Sequence, residues 1–330
     1  MKGYIFGFIV LAGSIWLMLS FSSSAPGESF AGRLAPLSSD EEESAGHISA
    51  TCEALVQDIG PRGANSLTEI ESFLQRELRH MRMDMTEIPL DSAGQAGKAY
   101  EVMLPGGSLG RETIVLGAHL DSPANSPGAD DNASGCAVLM EVLRLLANGG
   151  CDRTIRVVFW TGGAAPLAGT DKSTAWAYAL RLRARHEKVA AVLCFDALGV
   201  YADAAGTESV PFPFSFSFPD RGDFVAFVGD WGTRGVMEHA VEQFRSVAHF
   251  PSEAMSIPSA FDFVSLSDDG AFRELGYPAL RVTDTAGWRN PAIGTGSDVL
   301  PLLDYDRMAR IARGMTGTVI NLAKRTTPLM

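Results

Sequence analysis

The pattern of apolar and polar positions opens with Gly3 to Phe21, nineteen residues without a charge, preceded by Lys2 and followed by a Ser-rich stretch. As a helix this stretch would span roughly 28 Å at 1.5 Å per residue, close to a bilayer core. Residues 1–22 are therefore expected to form a transmembrane anchor or a signal sequence. A signal's apolar region is usually shorter, about 7–15 residues, which favours the anchor. The single upstream lysine favours a cytoplasmic N-terminus. That would put the rest of the chain outside the cytoplasm, periplasmic or extracellular, or secreted if the segment is cleaved. Residues 23–44, rich in Ser, Pro, Gly and acidic residues, read as a linker.

Beyond the linker the periodicity switches repeatedly between 3.6 and short apolar runs. Ser38-Ser39-Asp40 followed by Glu41 to Glu43 marks a helix start, with Ile48, Cys52, Leu55 and Val56 at helical spacing up to Gly60-Pro61. Ser66 to Met81 is a second amphipathic helix carrying Ile70, Phe73, Leu74 and Leu78, with His80 at its negative end. Strands are expected at Tyr100–Leu104, Ile114 onward, Thr154–Trp160, Ala190–Phe195, Phe224–Val228 and Pro278–Val282. Helices are expected at Ala133–Asn148, Asp171–Arg185, Thr233–Val247 and Tyr305–Ala323. In the first of these, Glu141, Arg144 and Asn148 form the exposed face. Such alternation predicts an α/β fold over residues 45–330: a mostly parallel central sheet flanked by helices on both faces. The segment Pro211 to Phe224 alternates aromatic and small residues and reads as a packed loop or edge strand.

Composition narrows the function. The hydrophobic share is 46% and the charged share 20%, enough for a sizeable core. A net charge of −12 leaves no basic patch for phosphates, so nucleic acid is excluded as a partner. The four cysteines, Cys52, Cys136, Cys151 and Cys194, are widely spaced and make neither a zinc cluster nor a disulfide framework.

The chemistry concentrates in Thr113 to Gly135, TIVLGAHLDSPANSPGADDNASG. A buried strand ends at His119 and Asp121, and Asp130 and Asp131 precede the next helix. A strand end facing a helix start is where open α/β sheets place ligand sites. One histidine with convergent carboxylates suits a divalent metal, zinc above all. Asp121, two residues after His119, points to the same side of extended chain and could orient the imidazole. Asp196 ends another strand on the same rim, so His119, Asp131 and Asp196 form a candidate three-ligand set.

These residues carry a resemblance. GAHLDSPANSPGADDNASG, CFDALG, GDFVAFVG, LSDDGAF and TDTAGWRNP…SD…LDYDRM follow in the order found in the M28 family of zinc aminopeptidases, from about Ala45 to Lys324. The resemblance implies a mixed eight-stranded sheet between helices and a pair of zinc ions that removes N-terminal residues from peptides. It places one zinc on His119 and Asp196, a bridging role on Asp131, and support of the histidine on Asp121. It also implies two consecutive glutamates after the strand Thr154–Trp160, the first a general base and the second a ligand to the other zinc. Here those positions are Gly162 and Gly163. The late histidine of an RNPxYHTxSD-like motif falls on Gly294, and Asp269 stands where a histidine often follows SD.

Glycine can neither take a proton nor bind a metal through a side chain, and loss of a general base costs typically about 100- to 10,000-fold. The expectation is a homologue without peptidase activity, holding at most one zinc, that keeps its pocket for peptide or protein N-termini. The competing expectation is an active one-metal aminopeptidase with a substitute base drawn from Asp171, Asp268 or Asp269. Asp171 reads first as a helix cap. A glutaminyl-cyclase-like acyl transfer is disfavoured, because those enzymes resemble the family in keeping the glutamates and the late histidine.

Overall fold

The computed structural model describes residues 2–92, 95–147, 149–164, 167, 170–258 and 267–324. Helix α1 runs over Lys2–Ser23 and α2 over Ser39–Glu53. A capping box starts α2: the Ser38 amide donates to Glu41 Oε2 at 2.7 Å and the Glu41 amide to Ser38 Oγ at 3.3 Å. Helix α3 follows at Leu67–His80, burying Ile70, Phe73, Leu74 and Leu78 as their spacing dictates. Strands β1 (Thr86–Ser92), β2 (Gln95–Leu104) and β3 (Leu109–His119) lead to α4 (Gly135–Leu146). Then come β4 (Arg153–Trp160), α5 (Thr174–Ala184), β5 (Lys188–Phe195), β6 (Val225–Asp230), α6 (Arg234–Val247) and β7 (Ser252–Ile257). Helix α7 (Asp268–Glu274), β8 (Ala279–Thr283) and α8 (Tyr305–Lys324) close the chain.

The eight strands form one mixed sheet, ordered β1-β2-β4-β3-β5-β8-β6-β7. The pairs β3–β4, β3–β5, β5–β8 and β6–β7 are parallel, whereas β1–β2, β2–β4 and β6–β8 are antiparallel. Period-two alternation divides the side chains between two cores. Ile114, Leu116, Ile155, Val157 and Phe159 face α2, α4, α6 and α8; Val115, Val158 and Trp160 face α5 and α7. Because β3, β5 and β8 run parallel, His119, Asp196 and Thr283 emerge on one rim.

Several local expectations change. Strands β1 and β7 lack a strong apolar signal and were not expected. Glu141 is buried rather than exposed: it accepts from Ser44 Oγ at 2.8 Å, lies 3.2 Å from His47 Nδ1, and receives Arg144 Nε at 3.2 Å. Docking of α2 on α4 covers this polar stripe, which periodicity alone assigns to solvent. Asn148, assigned to the same face, lies outside the described residues. Ser173, not Asp171, caps α5, accepting from the Trp176 amide at 3.2 Å. Pro211–Phe224 is an irregular loop around a short 3-10 turn at Phe214–Phe216.

The stretch between α1 and α2 is irregular but laid against the body. Arg245 Nη1 donates to the carbonyls of Pro26 at 3.0 Å and Gly27 at 2.8 Å, and the Ser252 amide donates to Ser29 Oγ at 2.9 Å. Phe30 stacks on His249, with centroids 5.8 Å apart. Among the described residues no helix is long and apolar enough to cross a membrane. The side chains of residues 5–12 and 15, within the apolar stretch expected as an anchor or signal, lie outside that description.

Candidate metal centre

His119 is the last residue of β3 and only 4% exposed. Its Nδ1 lies 3.0 Å from the Asp121 carbonyl oxygen, which can only accept, so Nδ1 carries a proton. Its Nε2 faces the rim, 3.3 Å from Asp131 Oδ1 and 3.7 Å from Asp196 Oδ1. One donor atom from each of His119, Asp131 and Asp196 lies within 4.8 Å of the others. The three residues singled out from the sequence are thus brought together by two parallel strands and the β3–α4 loop.

Asp121 supports the site from both ends of its residue. Its carbonyl orients His119, while its carboxylate, 3.6 Å from Nδ1, accepts the amides of Gly163 at 2.9 Å and Ala164 at 2.8 Å. The loop after β4 is thereby tied to the histidine. The β3–α4 loop is fixed by residues that sequence reasoning did not single out. Asp298 accepts the amides of Asp130 at 2.8 Å and Asp131 at 3.2 Å. Asn132 Nδ2 donates to the Phe195 carbonyl at 2.9 Å, and Asn132 Oδ1 accepts the Ala197 amide at 3.1 Å. Asn290 Nδ2 donates to Asp130 Oδ2 at 2.9 Å. Arg62, 1% exposed, grips four carbonyls, those of Leu120, Leu55, Pro127 and Gly128, at 2.6, 3.1, 2.9 and 2.7 Å. The only sequence trace of that grip is an arginine after Gly60-Pro61.

Electrostatics favour a cation here. Burial works to lower the His119 pKa, but the carboxylates of Asp121, Asp131 and Asp196 raise it well above the ordinary value. Burial alone would raise Asp196; His119, Arg281 and the Ser267 hydroxyl instead hold it well below the usual range. Burial, first of all, pushes Asp130 up to about 6 and Asp268 up to about 7. One imidazole and two carboxylates, oriented by carbonyl and hydroxyl partners, fit a divalent metal such as zinc.

The three glycines singled out by the resemblance, at 162, 163 and 294, lack side chains. Gly162 and Gly294 have φ of +76° and +71°, backbone that glycine adopts without strain. A Cβ on Gly163 would lie 2.4 Å from His119 Cβ and 3.1 Å from Asp268 Oδ1, so no side chain fits there without displacement. Of the three candidate substitutes, Asp171 is exposed and Asp269 is ion-paired to Arg273 at 3.0 Å. Asp268 is buried beside Gly163. Its Oδ2 accepts from Trp160 Nε1 at 2.6 Å, and its Oδ1 has no hydrogen-bond partner among the described residues.

The profile of Peptidase family M28 matches residues 101–319, well over half of the chain. The chain belongs to peptidase family M28. It is similar to the uncharacterized protein YfbL of Escherichia coli: 26% identical over 335 residues, 97% of this chain and 99% of that protein. It is also 27% identical to leucine aminopeptidase 1 of Trichophyton equinum over 64% of this chain, spanning 55% of that protein. Among solved structures, the LapA aminopeptidase of Legionella pneumophila superposes with a TM-score of 0.67 at 19% identity, over 87% of this chain and 74% of that one. The zinc aminopeptidase BSAP of Bacillus subtilis gives 0.65 at 15% identity, over 86% and 97%. At such identities these superpositions show the fold alone.

Proposed function

We propose that this M28 protein is an exported, membrane-tethered aminopeptidase homologue without peptidase activity. Its one-metal pocket binds the N-termini of peptides or proteins. The observation that carries the reading is the glycine at 162, 163 and 294. His119, Asp131 and Asp196 would hold a single zinc, which when bound supplies a Lewis acid for a carbonyl or amine. With glycine at 162, no side chain there takes a proton from water, and 163 and 294 offer no second metal a ligand. Asp121 keeps the imidazole oriented for the metal. Helix α1 tethers the body outside the cytoplasm, periplasmic or extracellular.

A second reading rests on Asp268. Its buried Oδ1, without a hydrogen-bond partner among the described residues, stands next to the position where a side chain at 163 would project, so it is the candidate substitute base of a one-metal aminopeptidase. Zinc-loaded full-length protein, assayed on a broad panel of aminoacyl amides beside a His119→Ala variant, separates the two. No turnover above the variant, with about one zinc bound per chain by calorimetry, is the expected result. Turnover lost in both His119→Ala and Asp268→Asn would replace the first reading with the second.

A further inference from the structure

The aromatic run PFPFSFSF, Pro211 to Phe218, has no part in the metal centre. Its loop divides the four phenylalanines between two environments. Phe214 and Phe218 are 1% and 9% exposed, in a cluster with Val210, Phe224, Met255, Ile257 and Leu19 of α1. Phe212 and Phe216 are 73% and 78% exposed, edge to face at 5.8 Å. Two solvated phenylalanines held against each other are a costly feature for a surface that meets only water.

The loop shares that cluster with the end of α1, and the end of α1 is fastened to the body. Arg234 lies over the Phe21 ring at 4.1 Å and donates to the carbonyls of Phe21 and, at 3.0 Å, Ser24. Trp231 meets Phe21 edge to face at 5.6 Å, and its Nε1 donates to the Ser256 carbonyl at 3.1 Å. Among the described side chains of α1, Leu19 and Ser22 are buried, whereas Tyr4, Trp16 and Leu17 are exposed. The C-terminal end of α1 is therefore fixed to the body, with Phe21 and Trp231 exposed there and Phe212 and Phe216 exposed on the loop whose buried phenylalanines pack on Leu19.

We infer that Phe212 and Phe216 form a wedge that enters the headgroup and upper acyl region of the bilayer beside α1, docking this edge of the sheet on the membrane. The inference rests on α1 being a membrane anchor. The charge-free stretch Gly3–Phe21 has about the length of a bilayer core, its Leu19 packs on the loop's buried phenylalanines, and aromatic side chains partition to headgroup depth. The bilayer is the occupant that covers both α1 and the phenylalanine pair at once. In an acidic chain the contact is apolar, so it does not depend on anionic lipid.

The test uses the full chain in phosphatidylcholine vesicles, with Cys151 replaced by Ser and an environment-sensitive fluorophore on a cysteine at position 216. A control carries it at position 80, the exposed end of α3. Flotation on a density gradient reads the anchor; quenching by nitroxide-labelled lipid reads the wedge. The expected result is flotation of both proteins, with emission blue-shifted and quenched at 216 but not at 80. Flotation with position 216 behaving like position 80 overturns the wedge and leaves the anchor standing. A chain that stays in the aqueous fraction overturns both.

Discussion

Replacing Arg62 with Met should disable the metal centre without touching a metal ligand. The guanidinium is fully enclosed and spends its donors on four backbone carbonyls, two of which (Pro127 and Gly128) belong to the loop that carries Asp131. Met fills most of the volume but leaves four buried acceptors unmet, at about 1–3 kcal/mol each. Part of this is returned, because burial already disfavours the charged guanidinium and lowers its pKa. The net cost is about 4 kcal/mol, a large share of the roughly 5–15 kcal/mol that holds a domain folded. Displacing the loop should also weaken zinc binding by about 10- to 100-fold, the range for groups that orient ligands. Urea unfolding in chelator gives the first number, and competition with a chromogenic chelator the second. Arg62→Lys keeps the charge but cannot reach four carbonyls from one ammonium, so it should fall between. A Met variant within about 1 kcal/mol of wild type, with unchanged zinc affinity, would refute the reasoning.

Gly163→Ala should cost about 1–3 kcal/mol by overpacking against His119 Cβ, and should lower zinc affinity as the imidazole moves; unfolding and metal titration together check it. Asp268→Asn should change the pH dependence of stability in the metal-free protein. The folded-state pKa of about 7 lies above the unfolded value, so the native state holds the extra proton and wild type loses stability as pH rises from about 4 to 7. The variant should gain on wild type across that window, by up to about 4 kcal/mol, and a difference independent of pH would sink the argument. Burial pushes the Cys136 thiol up to about 12 and raises Cys52 and Cys194 as well. Iodoacetamide at neutral pH should therefore label only the half-buried Cys151 until urea is added, as mass spectrometry would read.

Much of the centre was legible because it is local. A buried strand that stops at His119, a loop holding Asp131 and a second strand ending at Asp196 need only the rule that parallel strands share a rim. The glycines at 162, 163 and 294 draw attention only through the family resemblance of the motifs around them. Other features have no local signal. Strands β1 and β7 become strands by pairing at the two edges of the sheet. Glu141 is a polar residue on a polar stripe until α2 covers it with Ser44 and His47.

The sequence by itself determined the α/β class, the place of His119, Asp131 and Asp196 at strand and loop ends, and glycine at 162, 163 and 294. All follow from composition, short-range periodicity or residue identity. The tertiary structure alone decided that Arg62 and Asp298 brace the metal loop, that Asp268 stands beside Gly163, and that Phe212 and Phe216 face solvent while Phe214 and Phe218 are buried. Each depends on groups distant in sequence meeting in a packed interior. There the constraint is where carbonyls, carboxylates and rings come to lie, which no single stretch of chain encodes.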